Sequence, residues 1–351
     1  QARSATHRVP LLMKDFFIDE YQIYLARHYG ADAILLIVAL LTKEQIDRFI
    51  QVARSLDMDA LVEVHNQEEL EIALKTRAEI IGVNNRDLHT FEVDTKTFIR
   101  LSPGIPDTKI TVAESGYSQV SANQLQGFAK AVLIGSSIMR SKDLGRAIQE
   151  IKTPKKKFKA CGIRSIKDAR YCDENKIAFI GLNFVPSSKR QIDVEIARRI
   201  TASLKFSYSV GIFQNQTAAE VNQIAREAGL DFVQLSGSES VEYCQQMSLP
   251  VIKTLKMTDV DLIDSYSQDV AMFIIDGAAP GSGLGYDYSK LNDLKPSKPF
   301  LVAGGIHSGN ARMILSMLPE AAGLDAASGI ETGDKVDIKR IDSIAQAIKG
   351  E

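Results

Sequence analysis

The chain has 351 residues, 45% hydrophobic and 25% charged, with a formal net charge of −2. At roughly 150 residues per domain this length predicts two domains, and the composition excludes disordered, collagen-like and disulfide-scaffold classes. With 42 basic side chains against 44 acidic ones there is no electrostatic footprint for nucleic acid, so a small molecule or another protein is the expected partner. Three cysteines (Cys161, Cys172, Cys244) are too few for a disulfide framework and fit a reducing cytosol. The longest apolar stretch ends at Leu41, before Thr42-Lys43, and is too short for a membrane span. The chain begins at Gln1 with neither a methionine nor a charged-then-apolar leader. The reading is a cytoplasmic protein without a signal peptide, its true start missing.

Strand-like apolar runs then alternate with amphipathic helical stretches. In the first part strands are predicted at 9–13, 32–39, 60–65, 80–85, 109–115 and 131–136, each followed by helical periodicity such as Glu68-Glu69-Leu70-Glu71-Ile72-Ala73-Leu74. Lys152-Thr153-Pro154-Lys155-Lys156-Lys157 breaks the rhythm and reads as a solvated linker. Beyond it eight strands are predicted, at 158–162, 177–184, 208–213, 232–235, 251–255, 272–276, 300–303 and 324–327. Runs such as Ala131-Val132-Leu133-Ile134, apolar at every position, suit parallel sheets covered on both faces. The predicted class is α/β, with two tandem (β/α)8 barrels: a first, incomplete one of about six strand-helix units over residues 1–152, and a complete one over 153–351. An open doubly wound sheet is the competing fold, but it would carry its phosphate glycines after the first strand.

Here the glycines cluster after the last two strands of each part. Ala303-Gly304-Gly305 and Ala327-Ser328-Gly329 follow the seventh and eighth strands of the second part; Glu114-Ser115-Gly116 and Ile134-Gly135-Ser136 hold the matching places in the first. Barrel sites lie at strand carboxyl ends, and phosphates often bind after strands seven and eight, where glycine lets backbone N–H groups approach and serine adds a donor.

Polar residues at strand ends mark the chemistry. Lys14 ends the first strand, Glu63 interrupts an apolar one, and Asn84-Asn85-Arg86-Asp87 follows another. A carboxylate turned toward the helices would be buried without a partner, so Glu63 is placed in the barrel interior. With Lys14 it supplies an acid and a base, or a structural ion pair. In the second part Cys161 ends the first strand, and Asp276 ends the apolar run Met272-Phe273-Ile274-Ile275 before the glycine-rich loop 277–285. A thiol facing a carboxyl across a barrel mouth suits proton transfers on a sugar phosphate, and no histidine stands in these motifs for nucleophilic cysteine chemistry. The five histidines (His7, His28, His65, His89, His307) are scattered without ligand spacing, so no metal site is expected.

Several motifs, taken in register, resemble two enzyme families of tryptophan biosynthesis. Val9-Pro10-Leu11-Leu12-Met13-Lys14-Asp15-Phe16, Leu61-Val62-Glu63-Val64, Gly82-Val83-Asn84-Asn85-Arg86-Asp87-Leu88 and Ala113-Glu114-Ser115-Gly116 resemble the strand-end motifs of indole-3-glycerol-phosphate synthase. Lys159-Ala160-Cys161-Gly162, Pro186-Ser187-Ser188-Lys189-Arg190, Gln234-Leu235-Ser236-Gly237, Gly281-Ser282-Gly283 and Ala303-Gly304-Gly305 resemble those of phosphoribosylanthranilate isomerase. The order is that of the fused bifunctional bacterial enzyme.

The resemblance implies an Amadori rearrangement of N-(5-phosphoribosyl)anthranilate in the second part. Asp276 would be the general acid at the furanose oxygen, Cys161 the base at C2′, and Arg190 the partner of the anthranilate carboxylate. Gly304, Gly305, Ser328 and Gly329 would hold the phosphate. In the first part it implies decarboxylative closure of the indole ring, with Lys14 as general acid and Glu63 as partner acid/base. Asn84, Arg86, Glu114 and Ser115 would position substrate, and Gly116, Gly135 and Ser136 would bind phosphate. Neither reaction implies a cofactor, and a monomer with no nucleic-acid or membrane partner is expected. The sequence also departs from the pattern. Arg164 replaces a threonine after Cys161-Gly162-Ile163 and Ser236 replaces a histidine, predicting altered substrate contacts with retained chemistry. Two opening strand-helix units of a synthase, with a glutamate, a lysine and a Ser-Pro-Ser phosphate loop, have no counterpart, so a truncated first barrel of doubtful synthase activity is expected. The alternatives are an isomerase whose first part only packs, or another sugar-phosphate isomerase or epimerase on the same barrel.

Overall fold

The computed structural model describes residues 2–350 except 7, 8, 89, 126, 154 and 278–285. The chain divides into two compact units, Gln1–Ile151 and Lys152–Glu351.

The first unit is a wholly parallel sheet in chain order, β1 (Leu12–Met13), β2 (Ala33–Ile37), β3 (Asp59–Val64), β4 (Ile80–Asn84), β5 (Ile110–Glu114) and β6 (Ala131–Leu133). Alternation sorts its side chains. Leu35, Ile37, Leu61 and Val112 cluster on one face with Leu12, Ile80 and Leu133, while the intervening Leu36, Val62 and Val83 are buried on the other. The helix Lys43–Ser55 shows how the connections form. Thr42 Oγ1 accepts from the Gln45 amide, Gln45 Oε1 accepts from the Thr42 amide, and Ile46, Phe49, Ile50 and Ala53 bury one stripe. Strand β1 is shorter than predicted, because Pro10 has no N–H to give a ladder. Strand β6 is also shorter than predicted, pairing only with β5.

The second unit is a closed parallel barrel of β7 (Lys157–Cys161), β8 (Phe179–Asn183), β9 (Tyr208–Phe213), β10 (Phe232–Leu235), β11 (Val251–Lys256), β12 (Met272–Asp276), β13 (Phe300–Val302) and β14 (Gly323–Ala326). Pairing of β14 with β7 closes it, with Gly323 opposite Lys157 and Asp325 opposite Lys159. The outward residues Ile180, Leu182, Val233, Leu235, Phe273 and Ile275 pack with Ala169, Cys172, Ala197, Ile200 and Val221 of the flanking helices. On the inward parity the rings of Phe179, Tyr208 and Phe232, 5.8–6.0 Å apart, fill the amino end of the barrel. That packing leaves the carboxyl end for the site. A short antiparallel hairpin, β15 (Glu331–Thr332) and β16 (Lys335–Val336), follows the last barrel strand. The lysine run is not wholly a solvated linker: Lys156 Nζ donates to the Pro319 and Ala321 carbonyls at 2.5 and 2.7 Å, and Lys157 is buried as the first residue of β7.

Candidate active sites

In the first unit three strand ends converge on one charge cluster. Lys14, just past β1, places its Nζ 2.8 Å from Glu63 Oε2 on β3 and 3.3 Å from Glu114 Oε2 on β5. Both carboxyls are buried, whereas the lysine side chain is 41% exposed. Gly82 on the intervening β4 makes the room, since a Cβ there would lie 2.0 Å from Glu114 Oε1. Behind Glu63, His65 Nε2 stands 3.3 Å from Glu63 Oε1, near enough for charge pairing without hydrogen-bond alignment, while its Nδ1 meets Glu69 Oε2 at 2.9 Å.

These contacts push the two glutamates apart. Burial raises Glu114, and the Glu63 charge adds to it against the opposing pull of Lys14. Burial works upward on Glu63 too, but His65 and Lys14 more than offset it and hold the carboxyl low. Burial would lower Lys14, yet the two carboxylates keep it above its ordinary range. One protonated and one ionised carboxyl beside an ammonium make an acid–base set.

The remaining predicted residues of this unit are less gathered. Asn84 is buried at the end of β4 and accepts the Arg86 amide at 3.0 Å, but the Arg86 guanidinium turns to the Phe91 carbonyl at 3.1 Å. Ser115 and Gly116 make a left-handed turn (φ 62° and 80°) directly after Glu114, where a Cβ on Gly116 would meet Val93 Cγ1 at 2.4 Å. Gly135 and Ser136 lie beyond β6 at the start of the turn Ser136–Met139, and both are exposed.

The barrel of the second unit opens into a cavity of about 390 Å³. Its lining includes Cys161, Arg190, Asp276, Gly304, Gly305 and Ser328, which sequence separates by up to 167 positions. Gly329 is not on the lining; a Cβ there would strike the Ile306 carbonyl oxygen at 1.8 Å, so it serves the tight turn beneath Ser328. Asp276 is buried, accepts the Gly277 amide on Oδ1 at 2.7 Å, and has Gly304 pressed against that oxygen. Burial pushes the Cys161 thiol up to about 11, with Lys159 and Arg190 pulling down and Asp325 pushing further up. Arg190 is already engaged. Its Nε and Nη2 form a two-bond fork on Glu331 at 2.8 and 2.6 Å, and Gly162 provides the passage for its side chain.

Several contacts of this site are not signalled by the sequence motifs. Lys159 and Asp325 form a buried ion pair at 3.0 Å one inward position below Cys161. Glu331 holds Arg190, and Thr254 joins Gln234 and Ser236 on the cavity wall. The available signal for the pair was Asp325 as the one charge in its strand and Lys159 between the apolar Phe158 and Ala160. Arg164, expected to alter substrate contacts, instead donates to the Lys189 and Asp334 carbonyls and does not line the cavity. The Gly281-Ser282-Gly283 motif, most of the glycine-rich loop, His7 and His89 lie outside the described residues.

Residues 1–151 match the indole-3-glycerol phosphate synthase family, and residues 158–347 match the N-(5'-phosphoribosyl)anthranilate (PRA) isomerase family. The tryptophan biosynthesis protein TrpCF of Salmonella typhi is 37% identical over 351 residues, covering 97% of this chain and 75% of that protein. The chain belongs to the TrpCF family. Its two units are the synthase and isomerase parts of a bifunctional enzyme of tryptophan biosynthesis. TrpCF of Helicobacter pylori strain 26695 is 36% identical, covering 95% of this chain and 75% of that protein. The multifunctional tryptophan biosynthesis protein of Schizosaccharomyces pombe is 34% identical, and the chain spans about half of its length, 51%. Among solved structures, phosphoribosyl anthranilate isomerase from Thermotoga maritima aligns with a TM-score of 0.52 at 28% identity, covering 56% of this chain and all of that one.

Proposed function

We propose that the closed barrel, residues 153–351, converts N-(5-phosphoribosyl)anthranilate to 1-(2-carboxyphenylamino)-1-deoxyribulose 5-phosphate. The observation that carries this reading is that one cavity collects a thiol, a carboxyl, an arginine and residues of two glycine-rich loops. The Gly304-Gly305 and Ser328 loops hold the phosphate, and the N–H groups of Arg190 not taken by Glu331 meet the anthranilate carboxylate. Asp276 gives a proton to the furanose oxygen as the C1′–O bond breaks. Cys161 takes the C2′ proton, and the resulting enolamine passes to the ketone. Each step moves a proton between placed groups, so the reading needs no cofactor. A solved isomerase described in complex with reduced 1-(o-carboxyphenylamino)-1-deoxyribulose 5-phosphate, 27% identical with a TM-score of 0.51, supports the substrate class.

In residues 1–152 we assign Lys14 as the acid at the ketone oxygen and Glu63 as its partner acid/base for ring closure with loss of carbon dioxide and water. Asn84, Arg86, Glu114 and Ser115 position the substrate, and Gly116, Gly135 and Ser136 receive its phosphate. We assign the protein to the cytoplasm as a monomer; three free cysteines and no described helix long and apolar enough to cross a membrane support that placement. Turnover of phosphoribosylanthranilate by Cys161→Ala and Asp276→Ala tests the isomerase roles. Each variant is expected to lose about 10²–10⁴-fold in kcat. Rates equal to the parent would remove the assignment.

A further inference from the structure

Strands β10 and β11 bring Gln234, Ser236 and Thr254 together on one wall of the isomerase cavity. Gln234 Nε2 donates to Ser236 Oγ and to Thr254 Oγ1, both at 3.1 Å, and the two hydroxyls are themselves 3.1 Å apart. The amide is therefore held by a closed triangle. Gln234 is only 5% exposed, and among the described residues its Oε1 is buried with no hydrogen-bond partner. A buried carbonyl oxygen left without a donor is costly, and such groups in a native protein call for an explanation. Exchanging the two ends of the amide does not remove the cost, because Nε2 would then take the unpartnered place.

The rest of the cavity is committed to other chemistry. Arg190 and the glycine-rich loops suit the two anionic ends of the substrate, and Cys161 and Asp276 handle its protons. The β10–β11 wall carries no charge at these three positions, which matches the uncharged middle of the molecule, where sugar hydroxyls and the anilino N–H are the donors. We infer that Gln234 Oε1 accepts a hydrogen bond from an uncharged O–H or N–H of the bound substrate, with Ser236 and Thr254 fixing the amide for that contact. This rests on the isomerase reading above. Gln234 is then a substrate-positioning residue, and the serine at 236 orients it rather than touching the substrate.

Competitive inhibition of phosphoribosylanthranilate turnover by the full 351-residue chain, which reads the isomerase cavity alone, tests the inference with two probes: reduced 1-(o-carboxyphenylamino)-1-deoxyribulose 5-phosphate, and ribulose 5-phosphate, which lacks the aryl amine. Gln234→Leu is expected to weaken the aryl compound about tenfold while the free protein melts no lower than the parent, since the unmet oxygen is gone. Gln234→Asn withdraws the amide by one methylene, is expected to weaken binding likewise, and decides the matter if Gln234→Leu does not fold. Loss with both probes identifies a sugar hydroxyl as the donor; loss with the aryl compound alone identifies the anilino N–H. Unchanged affinity for both probes overturns the inference, as does an affinity loss that only accompanies a lower melting temperature. A parent protein that binds neither probe overturns the isomerase reading itself, whereas a parent that binds and a folded variant that binds equally well sink only the role of Gln234.

Discussion

His65 shows how a single side chain can set the pH response of the synthase unit. Burial alone would push its imidazole down, but Glu63 and Glu69 on either side raise it to about 9 from an ordinary 6.5. A group whose folded pKa is raised contributes stability that is complete below the unfolded value and lost as pH climbs through the folded one. The synthase unit is therefore expected to lose thermal stability between about pH 6.5 and 9, and His65→Gln, which keeps a polar side chain but no charge, flattens that slope. Glu114, also raised, acts in the same direction at lower pH, so the comparison is made in a Glu114→Gln background. Melting curves followed by circular dichroism across pH 6–10 provide the measurement, and an unaltered alkaline slope in the variant would refute the account. In sequence His65 looked like one of five scattered histidines. Its significance depends on Glu69 one helical turn beyond the strand and on Glu63 on the same inward face, a juxtaposition made only when the strand ends and the helix begins. Glu63 itself was legible, because a lone carboxylate in an apolar run has few places to go.

At the scale of elements, the strands were the easiest feature to read. All fourteen predicted parallel strands are present, since uninterrupted Val, Ile and Leu runs bounded by helical periodicity carry a strong local signal. What local pattern cannot carry is closure. Lys159 and Asp325 are 166 residues apart and meet only because β14 docks against β7, so neither charge could be assigned a partner beforehand. The same seam dictates Gly323. A Cβ there would lie 1.9 Å from the Lys157 carbonyl oxygen and 2.6 Å from its amide nitrogen, and that backbone is tied down by the Lys157 amide donating to the Ala322 carbonyl at 2.8 Å. Gly323→Ala is expected to cost about 1–3 kcal/mol through overpacking, which lowers the melting temperature of the isomerase unit by roughly 2–12 °C. Gly333→Ala is the control: its φ is +63° but nothing lies within 4 Å, so it carries backbone strain without collision. Scanning calorimetry on both variants is decisive, and equal melting temperatures for the two would refute the steric argument.

Taken whole, the chain pairs a closed eight-stranded barrel with a six-stranded sheet whose first and last strands are not paired to each other. The difference bears directly on chemistry. In the barrel, Cys161 and Asp276 line a walled cavity, where the proton transfers proposed for them would meet fixed dipoles in place of water. In the sheet, Lys14 shares its face with buried Glu63 and Glu114 but is 41% exposed itself, and nearby Phe16, Ile18 and Tyr21 are exposed large apolar side chains beside the edge strand β1. Water has access to the ammonium proposed to protonate the ketone, and the residues proposed to bind phosphate, Gly135 and Ser136, are exposed beyond edge strand β6. The acid–base set is present without the enclosure that would make it effective. The 351-residue chain is accordingly expected to turn over phosphoribosylanthranilate while forming indole-3-glycerol phosphate at a rate lower by about 10² or more, the scale of one misplaced acid–base group. Both rates can be read on one preparation, the first from consumption of phosphoribosylanthranilate and the second from appearance of the indole chromophore after adding the ribulose phosphate. Comparable rates would mean that six strands suffice to hold the synthase site, and that the exposure of Lys14 is no handicap to its role.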